Sequence, residues 1–221
     1  MNKTMLLAAS AVLALTGGAF AAGHPGATHH GMAKQFAHSP TNRGLHVLYD
    51  QNDSDDGIGI VSQNFESSFD QYDAQAADDF TVSGGKWKIK EVDVTGVYFN
   101  GSGPATSENV TIYKDKNGHP GKVVSAQTVT GSDSGFGSFV MPIDTVKLKP
   151  GHYWVSVQAN LDFFAGGEWG WENRTTDNGD PAQWLNAGGG FASGCTDWGQ
   201  ENQCIADGQG DHMFTLKGKG G

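Results

Sequence analysis

Short stretches of alternating apolar and polar residues recur along most of the chain, each bounded by Gly, Pro, Asn or Asp. In residues 152–159, Tyr153, Val155 and Val157 face one way and the residues between them face the other. Further stretches of this kind occupy residues 45–49, 58–61, 79–82, 86–100, 109–113, 123–129, 136–141, 146–148 and 213–216. The pattern is typical of short antiparallel β-strands.

The longest of these stretches, residues 86–100, changes its alternation part of the way along. Trp87 and Ile89 occupy odd positions, whereas Val92 and Val94 occupy even ones. A strand with one buried face cannot change parity without an extra residue or a break. We therefore expect a bulge or a break near Glu91.

No window of ten or more residues beyond residue 21 has a helical period, and the 33 glycines disfavour long helices. Many short strands separated by turns predict an all-β fold, namely an antiparallel two-sheet sandwich with a jelly-roll-like arrangement. The length suits one domain, which we place at residues 44–221.

The N-terminus has the layout of a secretory signal peptide. Lys3 precedes an apolar run over residues 5–15, and the small-residue site Ala19-Phe20-Ala21 follows it. The apolar run is too short to span a bilayer, which requires about 20 residues. We predict cleavage of residues 1–21, export to the periplasm or the cell exterior, and no membrane insertion. Residues 22–43 are polar and rich in His, which predicts a flexible tail.

Composition restricts the partners and the redox chemistry. The formal charge of −10, from 14 Lys+Arg and 24 Asp+Glu, disfavours nucleic acid and anionic lipid as partners. We expect a monomer. Cys195 and Cys204 are the two cysteines, and in an exported chain they are expected to form one disulfide that closes a short loop. A metal site built on the two thiols is the weaker alternative.

Five segments carry a resemblance to known proteins, and each holds strand or turn signatures. They are residues 77–82, 92–99, 109–113, 118–121 and 151–157. With these segments the chain resembles a group of bacterial secreted β-sandwich modules, which occur alone or appended to exported enzymes and surface proteins. The resemblance implies fold and export, and it assigns no catalytic residue.

Aromatic and polar residues cluster in the second half of the chain and suggest a ligand site. Indole rings stack on the C–H faces of sugars, and neighbouring polar groups bind the hydroxyls. The predicted ligand-binding residues are Trp169, Trp171, Trp184, Trp198, Glu168 and Arg174. Because Trp169 and Trp171 share one strand face, packing in the core is the alternative.

An acidic run and the new N-terminus are candidate metal sites. The run offers the oxygen ligands that Ca²⁺ prefers, from Asp50, Asn52, Asp53, Asp55 and Asp56, although its register is not that of an EF-hand. A solvated acidic turn is the alternative. If cleavage follows Ala21, His24 becomes the third residue, where an imidazole, two amides and the free amine suit Cu²⁺ or Ni²⁺. A histidine placed there by chance is the alternative.

No common catalytic motif is present, and Glu168 and Glu172 form the one conceivable glycosidase pair among the tryptophans. Whether the protein is an enzyme stays open. The leading hypothesis is a secreted non-catalytic binding module for a glycan or another cell-surface ligand, which requires no cofactor. The second is a structural or interaction protein of the cell envelope stabilised by Ca²⁺, and the third is a hydrolase.

Overall fold

The computed structural model of the protein describes residues 25–31, 44–133, 135–208 and 210–220. These residues form sixteen strands, one 3₁₀-helix and two single-turn α-helices. The strands are β1 (Thr28–His30), β2 (His46–Asp50), β3 (Asp55–Val61), β4 (Gln63–Asn64), β5 (Gln75–Val82), β6 (Trp87–Val94), β7 (Gly96–Phe99), β8 (Ser107–Asp115), β9 (Pro120–Val129), β10 (Ser132–Asp133), β11 (Phe139–Leu148), β12 (Gly151–Asn160), β13 (Glu168–Arg174), β14 (Gln183–Leu185), β15 (Gly199–Gln200) and β16 (Phe214–Lys219). The helices are the 3₁₀-helix Ser67–Tyr72, α1 (Phe163–Gly166) and α2 (Glu201–Cys204).

Hydrogen bonding groups the strands into three sheets. Sheet A has the order β1-β3-β13-β7, sheet B the order β10-β11-β6-β16-β2, and sheet C the order β15-β14-β5-β12-β8-β9. Neighbouring strands run antiparallel, except that β4 pairs in parallel with β12. The all-β class and the antiparallel pairing predicted from the sequence are therefore confirmed, with three hydrogen-bonded sheets in place of two.

Sheets A and B share one continuous stretch of chain. Residues 87–94 form β6 in sheet B, and residues 96–99 form β7 in sheet A. At the corner between them, the Thr95 amide donates to the Met213 carbonyl at 3.2 Å, and the Thr95 carbonyl accepts from the Glu172 amide at 3.1 Å. The extra sheet thus arises because the chain changes its pairing partners at Thr95.

The change of parity predicted within residues 86–100 is also present. Glu91 pairs with Lys217, and Ile89 pairs with the next residue of β16, Gly218. Lys90 is therefore the extra residue of a β-bulge, which moves alternate side chains to the other face. This confirms the predicted bulge near Glu91.

One apolar core joins the three sheets through aromatic contacts. Phe80 of sheet C stacks on Trp87 of sheet B with ring centroids 6.3 Å apart, and Phe139 of sheet B stacks on Trp169 of sheet A at 5.0 Å. Each fully buried large apolar side chain contributes about 1.5 to 3 kcal/mol to stability. The core positions the strands that carry the polar clusters described below.

The disulfide between Cys195 and Cys204 is present, with its sulfurs 2.09 Å apart, and it closes a segment that contains β15 and α2. The predicted signal peptide, residues 1–21, lies outside the described residues, as does His24. Part of the segment predicted to be a flexible tail forms β1, because residues 28–30 pair with β3 at the edge of sheet A. No helix among the described residues is long and apolar enough to cross a membrane.

Candidate metal centre and ligand cavity

A bulge in β3 brings two neighbouring carboxylates to one side of sheet A. Glu172 of β13 pairs with Gly59, and Arg174 pairs with Asp55, so a single residue of β13 faces three residues of β3. Gly57 lies within this bulge with φ +76°, a conformation that favours glycine. The bulge redirects the side chains of Asp55 and Asp56.

The three carboxylates of Asp55, Asp56 and Glu172 converge. Each offers an oxygen within 4.8 Å of the others. Two short turns fix the aspartates, because Asp55 Oδ1 accepts from the Gly57 amide and Asp56 Oδ1 accepts from the Ile58 amide, both at 2.8 Å. We call these three residues the carboxylate cluster.

Glu172 is the buried member of the carboxylate cluster. Its side chain is 0% exposed, and both of its carboxylate oxygens accept no hydrogen bond from the described protein atoms. Burial, together with the charges of Asp55 and Asp56, raises the pKa of Glu172 to about 9. An ionised carboxylate in such a place requires a compensating charge, because desolvation disfavours its ionised form.

Arg174 lies two residues further along β13, and its guanidinium is bound to other acids. Its Nη2 donates to Asp53 Oδ1 at 2.6 Å, and its Nη1 lies 3.9 Å from Asp211 Oδ2. Among the described residues, no Lys, Arg or His forms an ion pair with Glu172. The acids that pair with Arg174, Asp53 and Asp211, therefore lie outside the carboxylate cluster.

A cavity of about 460 Å³, lined by both polar and apolar groups, opens beside the carboxylate cluster. Asp56 belongs to both, and Arg174, Thr175, Asp177, Asn202 and Ile58 also line the cavity. Its size is within the range of small-ligand sites, about 300 to 1,000 Å³. The wall combines carboxylate acceptors with guanidinium, amide and hydroxyl donors, which suits a ligand with many hydroxyl groups.

The tryptophans predicted to bind a ligand lie mostly in the core. Trp169, Trp171 and Trp184 are 0% exposed, and their Nε1 atoms donate to the carbonyls of Gly137, Met213 and Val61. They cannot stack on a ligand at the surface, so this prediction is wrong for these three residues. The physical reason is that β13, which carries Trp169 and Trp171, is buried on both faces.

Trp198 is the partly exposed member of the predicted set. It packs edge-on against Tyr113, with centroids 5.8 Å apart, and it covers Ala77 and Trp154 on sheet C. Trp154 is completely buried beneath it. Trp198 therefore covers part of sheet C and is not among the residues that line the cavity beside Arg174.

Glu168 is also buried and does not line that cavity. Its Oε2 accepts from Asn100 Nδ2 at 2.6 Å, and the Gly26 amide donates a further hydrogen bond to the carboxylate. Burial raises the pKa of Glu168 to about 7, although both hydrogen bonds oppose this shift. Because Glu168 and Glu172 are both fully buried, their geometry argues against the predicted glycosidase pair.

The predicted calcium run is divided by the fold. Asp50 Oδ1 accepts from the Thr215 hydroxyl at 2.7 Å, Asn52 Oδ1 accepts from the Thr95 hydroxyl at 2.6 Å, and Asp53 binds Arg174. Asp50, Asn52 and Asp53 are therefore directed to other parts of the protein and do not belong to the carboxylate cluster. Asp55 and Asp56 join Glu172, which the sequence analysis did not consider as a metal ligand.

A second group of ligand atoms lies on sheet C. His152 Nε2 is 2.5 Å from Asp79 Oδ2, and its Nδ1 is 3.6 Å from Asp115 Oδ1 and 3.8 Å from Asp180 Oδ2. Asp115 also accepts from Trp154 Nε1 at 3.0 Å. Asp115, His152 and Asp180 each offer a ligand atom within 4.8 Å of the others, but all three are partly exposed, in contrast to Glu172.

A buried polar pair that the sequence analysis missed lies behind β13. His212 and Glu201 are both 0% exposed, with His212 Nε2 2.8 Å from Glu201 Oε2. The His212 ring stacks on Trp171 with centroids 4.5 Å apart, and Asn173 Nδ2 donates to Glu201 Oε1 at 2.8 Å. No local sequence pattern connects these residues, since they come from separate segments.

No known family matches the sequence, and no curated protein matches it. The chain is similar in structure to the cysteine protease and lectin-like domains of Cwp84, a surface layer associated protein of Clostridium difficile, with a TM-score of 0.47 and 14% identity over 74% of this chain. It is also similar to a clostridial cysteine protease Cwp84 after propeptide cleavage, with a TM-score of 0.46 and 14% identity over 67% of this chain. The match covers 33% and 36% of those chains. At these scores the likeness identifies neither a ligand nor an activity.

Proposed function

We propose that this protein is an exported, non-catalytic β-sandwich that binds a glycan or another cell-surface ligand in the cavity beside Arg174. The signal-peptide pattern of residues 1–21 and the disulfide support export. The proposal replaces the tryptophan loops as the binding surface, since three of those indoles are buried.

The observation that carries the proposal is the mixture of polar and apolar groups that line this cavity. Asp56 and Asp177 offer carboxylate oxygens, Asn202 can donate and accept, and Arg174, paired with Asp53, lines the same wall. Ile58 adds an apolar surface of the kind that packs against the C–H face of a sugar ring. A rigid strand, β13, holds Arg174 in place, while Asp177 and Asn202 are exposed to an incoming ligand.

The test is a glycan array with the purified protein, followed by affinity measurements on variants. Asp177→Asn and Asn202→Ala each remove a polar group from the wall, and we expect each to weaken binding by about tenfold or more. Asp144→Asn is the matched control, because Asp144 is an exposed aspartate that lines a different cavity. We expect Asp144→Asn to leave the affinity unchanged.

Two results would overturn the proposal. One is an equal effect of Asp177→Asn and Asp144→Asn, which would place binding elsewhere. The other is a protein that binds neither a glycan nor isolated cell envelopes. Binding to envelopes without any glycan hit, with the same dependence on Asp177 and Asn202, would assign the cavity to a ligand that is not a glycan.

A further inference from the structure

We propose that Asp55, Asp56 and Glu172 bind one divalent cation of the Ca²⁺ class through their carboxylate oxygens. This site differs from the calcium site predicted from the acidic run, because it excludes Asp50, Asn52 and Asp53 and includes a residue from the distant strand β13. It is independent of the proposed cavity ligand, since the metal alone is the probe.

The geometry suits such a cation. Ca²⁺ lies 2.3 to 2.6 Å from its oxygen ligands, so any two ligands are at most about 5 Å apart. The three carboxylates place an oxygen each within 4.8 Å of the others. Three protein carboxylates leave further coordination positions for water, as expected for a cation that takes 6 to 8 ligands.

A second observation comes from the hydrogen bonds that are missing at Glu172. Its side chain is completely buried, and neither carboxylate oxygen accepts a hydrogen bond from the described protein atoms. The second carboxylate oxygen of Asp56, Oδ2, is also buried and accepts no hydrogen bond from the described protein atoms. Buried polar groups almost always have partners, so these oxygens point to a bound species that accepts their lone pairs.

The surrounding structure explains why Glu172 is held there. Gly59 lies opposite Glu172, and a Cβ at Gly59 would stand 3.6 Å from Glu172 Oε1 and 2.9 Å from Val97 Cγ1. The glycine therefore lets Val97 pack against this part of β3, next to the carboxylate. The cation would thus connect the bulge of β3 to the buried carboxylate of β13.

The test measures Ca²⁺ binding to the full chain after treatment with EDTA. Isothermal titration is expected to show one Ca²⁺ per chain, and thermal unfolding is expected to show a higher Tm with Ca²⁺ than with EDTA. Glu172→Gln and Asp56→Asn are each expected to weaken Ca²⁺ binding by about tenfold or more, because affinity follows the number of ligand charges. Asp53→Asn is the control, and it is expected to retain the affinity of the wild type.

Folding of the variants is checked in EDTA. Glu172→Gln removes a buried carboxylate, so we expect its Tm in EDTA to equal or exceed that of the wild type. No Ca²⁺ binding by the wild type at millimolar concentration overturns the proposal. Equal affinities for Glu172→Gln and Asp53→Asn overturn the assignment of ligands, and Mg²⁺ binding as tight as that of Ca²⁺ overturns the class of cation.

Discussion

Glu168 makes the stability of this protein depend on pH in a direction that can be predicted. The side chain is 0% exposed, and one of its carboxylate oxygens accepts no hydrogen bond from the described atoms. Burial raises the pKa of Glu168 from 4.5 to about 7 in the folded state. Between these two values the folded protein binds a proton at Glu168 that the unfolded chain has lost. Stability therefore falls as pH rises from 4.5 to 7.

The magnitude follows from the difference between the two pKa values. Each pKa unit corresponds to about 1.4 kcal/mol, so the full effect is about 3 kcal/mol, most of it between pH 5 and pH 8. Glu168→Gln removes this ionisation and keeps the shape of the side chain. The unfolding free energy of the variant minus that of the wild type should therefore be about 2 to 3 kcal/mol larger at pH 8 than at pH 5.

The assay is urea unfolding of the wild type and the variant at a series of pH values from 5 to 8, in EDTA so that metal occupancy is constant. Other buried acids also change the wild-type curve, and the difference between the two proteins isolates Glu168. Asp144→Asn, which removes an exposed carboxylate, should give a curve parallel to that of the wild type. If Glu168→Gln also runs parallel to the wild type, the reasoning about Glu168 is wrong.

Two further predictions concern the core and the loop crosslink. Trp169→Ala should lower the unfolding free energy by about 3 to 5 kcal/mol, because it leaves a cavity beside Phe139 and removes the hydrogen bond to Gly137. The measurement is a denaturant titration, and a loss of under 1 kcal/mol would contradict the core role of Trp169. Replacing Cys195 and Cys204 together by Ser should cost about 2 to 3 kcal/mol, since the crosslink closes a loop with a sequence separation of 9, and an unchanged denaturation midpoint would contradict this value.

The fold class was predictable because strand alternation is a local property. The bulge near Glu91 was predictable for the same reason, since the change of parity is visible among Trp87, Ile89, Val92 and Val94. The division into three sheets was not predictable, because it depends on which distant strands pair. Nothing in the sequence around Thr95 shows that β6 and β7 take different neighbours.

The candidate site was predictable only in part. The acidic run indicated a cation site, and Asp55 and Asp56 belong to the carboxylate cluster. Glu172 joins them through the pairing of β13 with β3, which no local spacing reveals. The tryptophans were misinterpreted because alternation on β13 cannot show whether one or both faces are covered, and here both are.

The corner at Thr95 couples the local unfolding of sheet A to that of sheet B. Its amide donates to Met213, which directly precedes β16, its carbonyl accepts from Glu172 of β13, and its hydroxyl donates to Asn52 Oδ1 at 2.6 Å. Because these bonds span both sheets, sheet A cannot unzip along this edge without loosening sheet B. Amide protons of both sheets near this corner should consequently exchange with solvent in one cooperative opening. A partly open state, in which strand edges of one sheet are exposed while the other sheet stays intact, is thereby avoided.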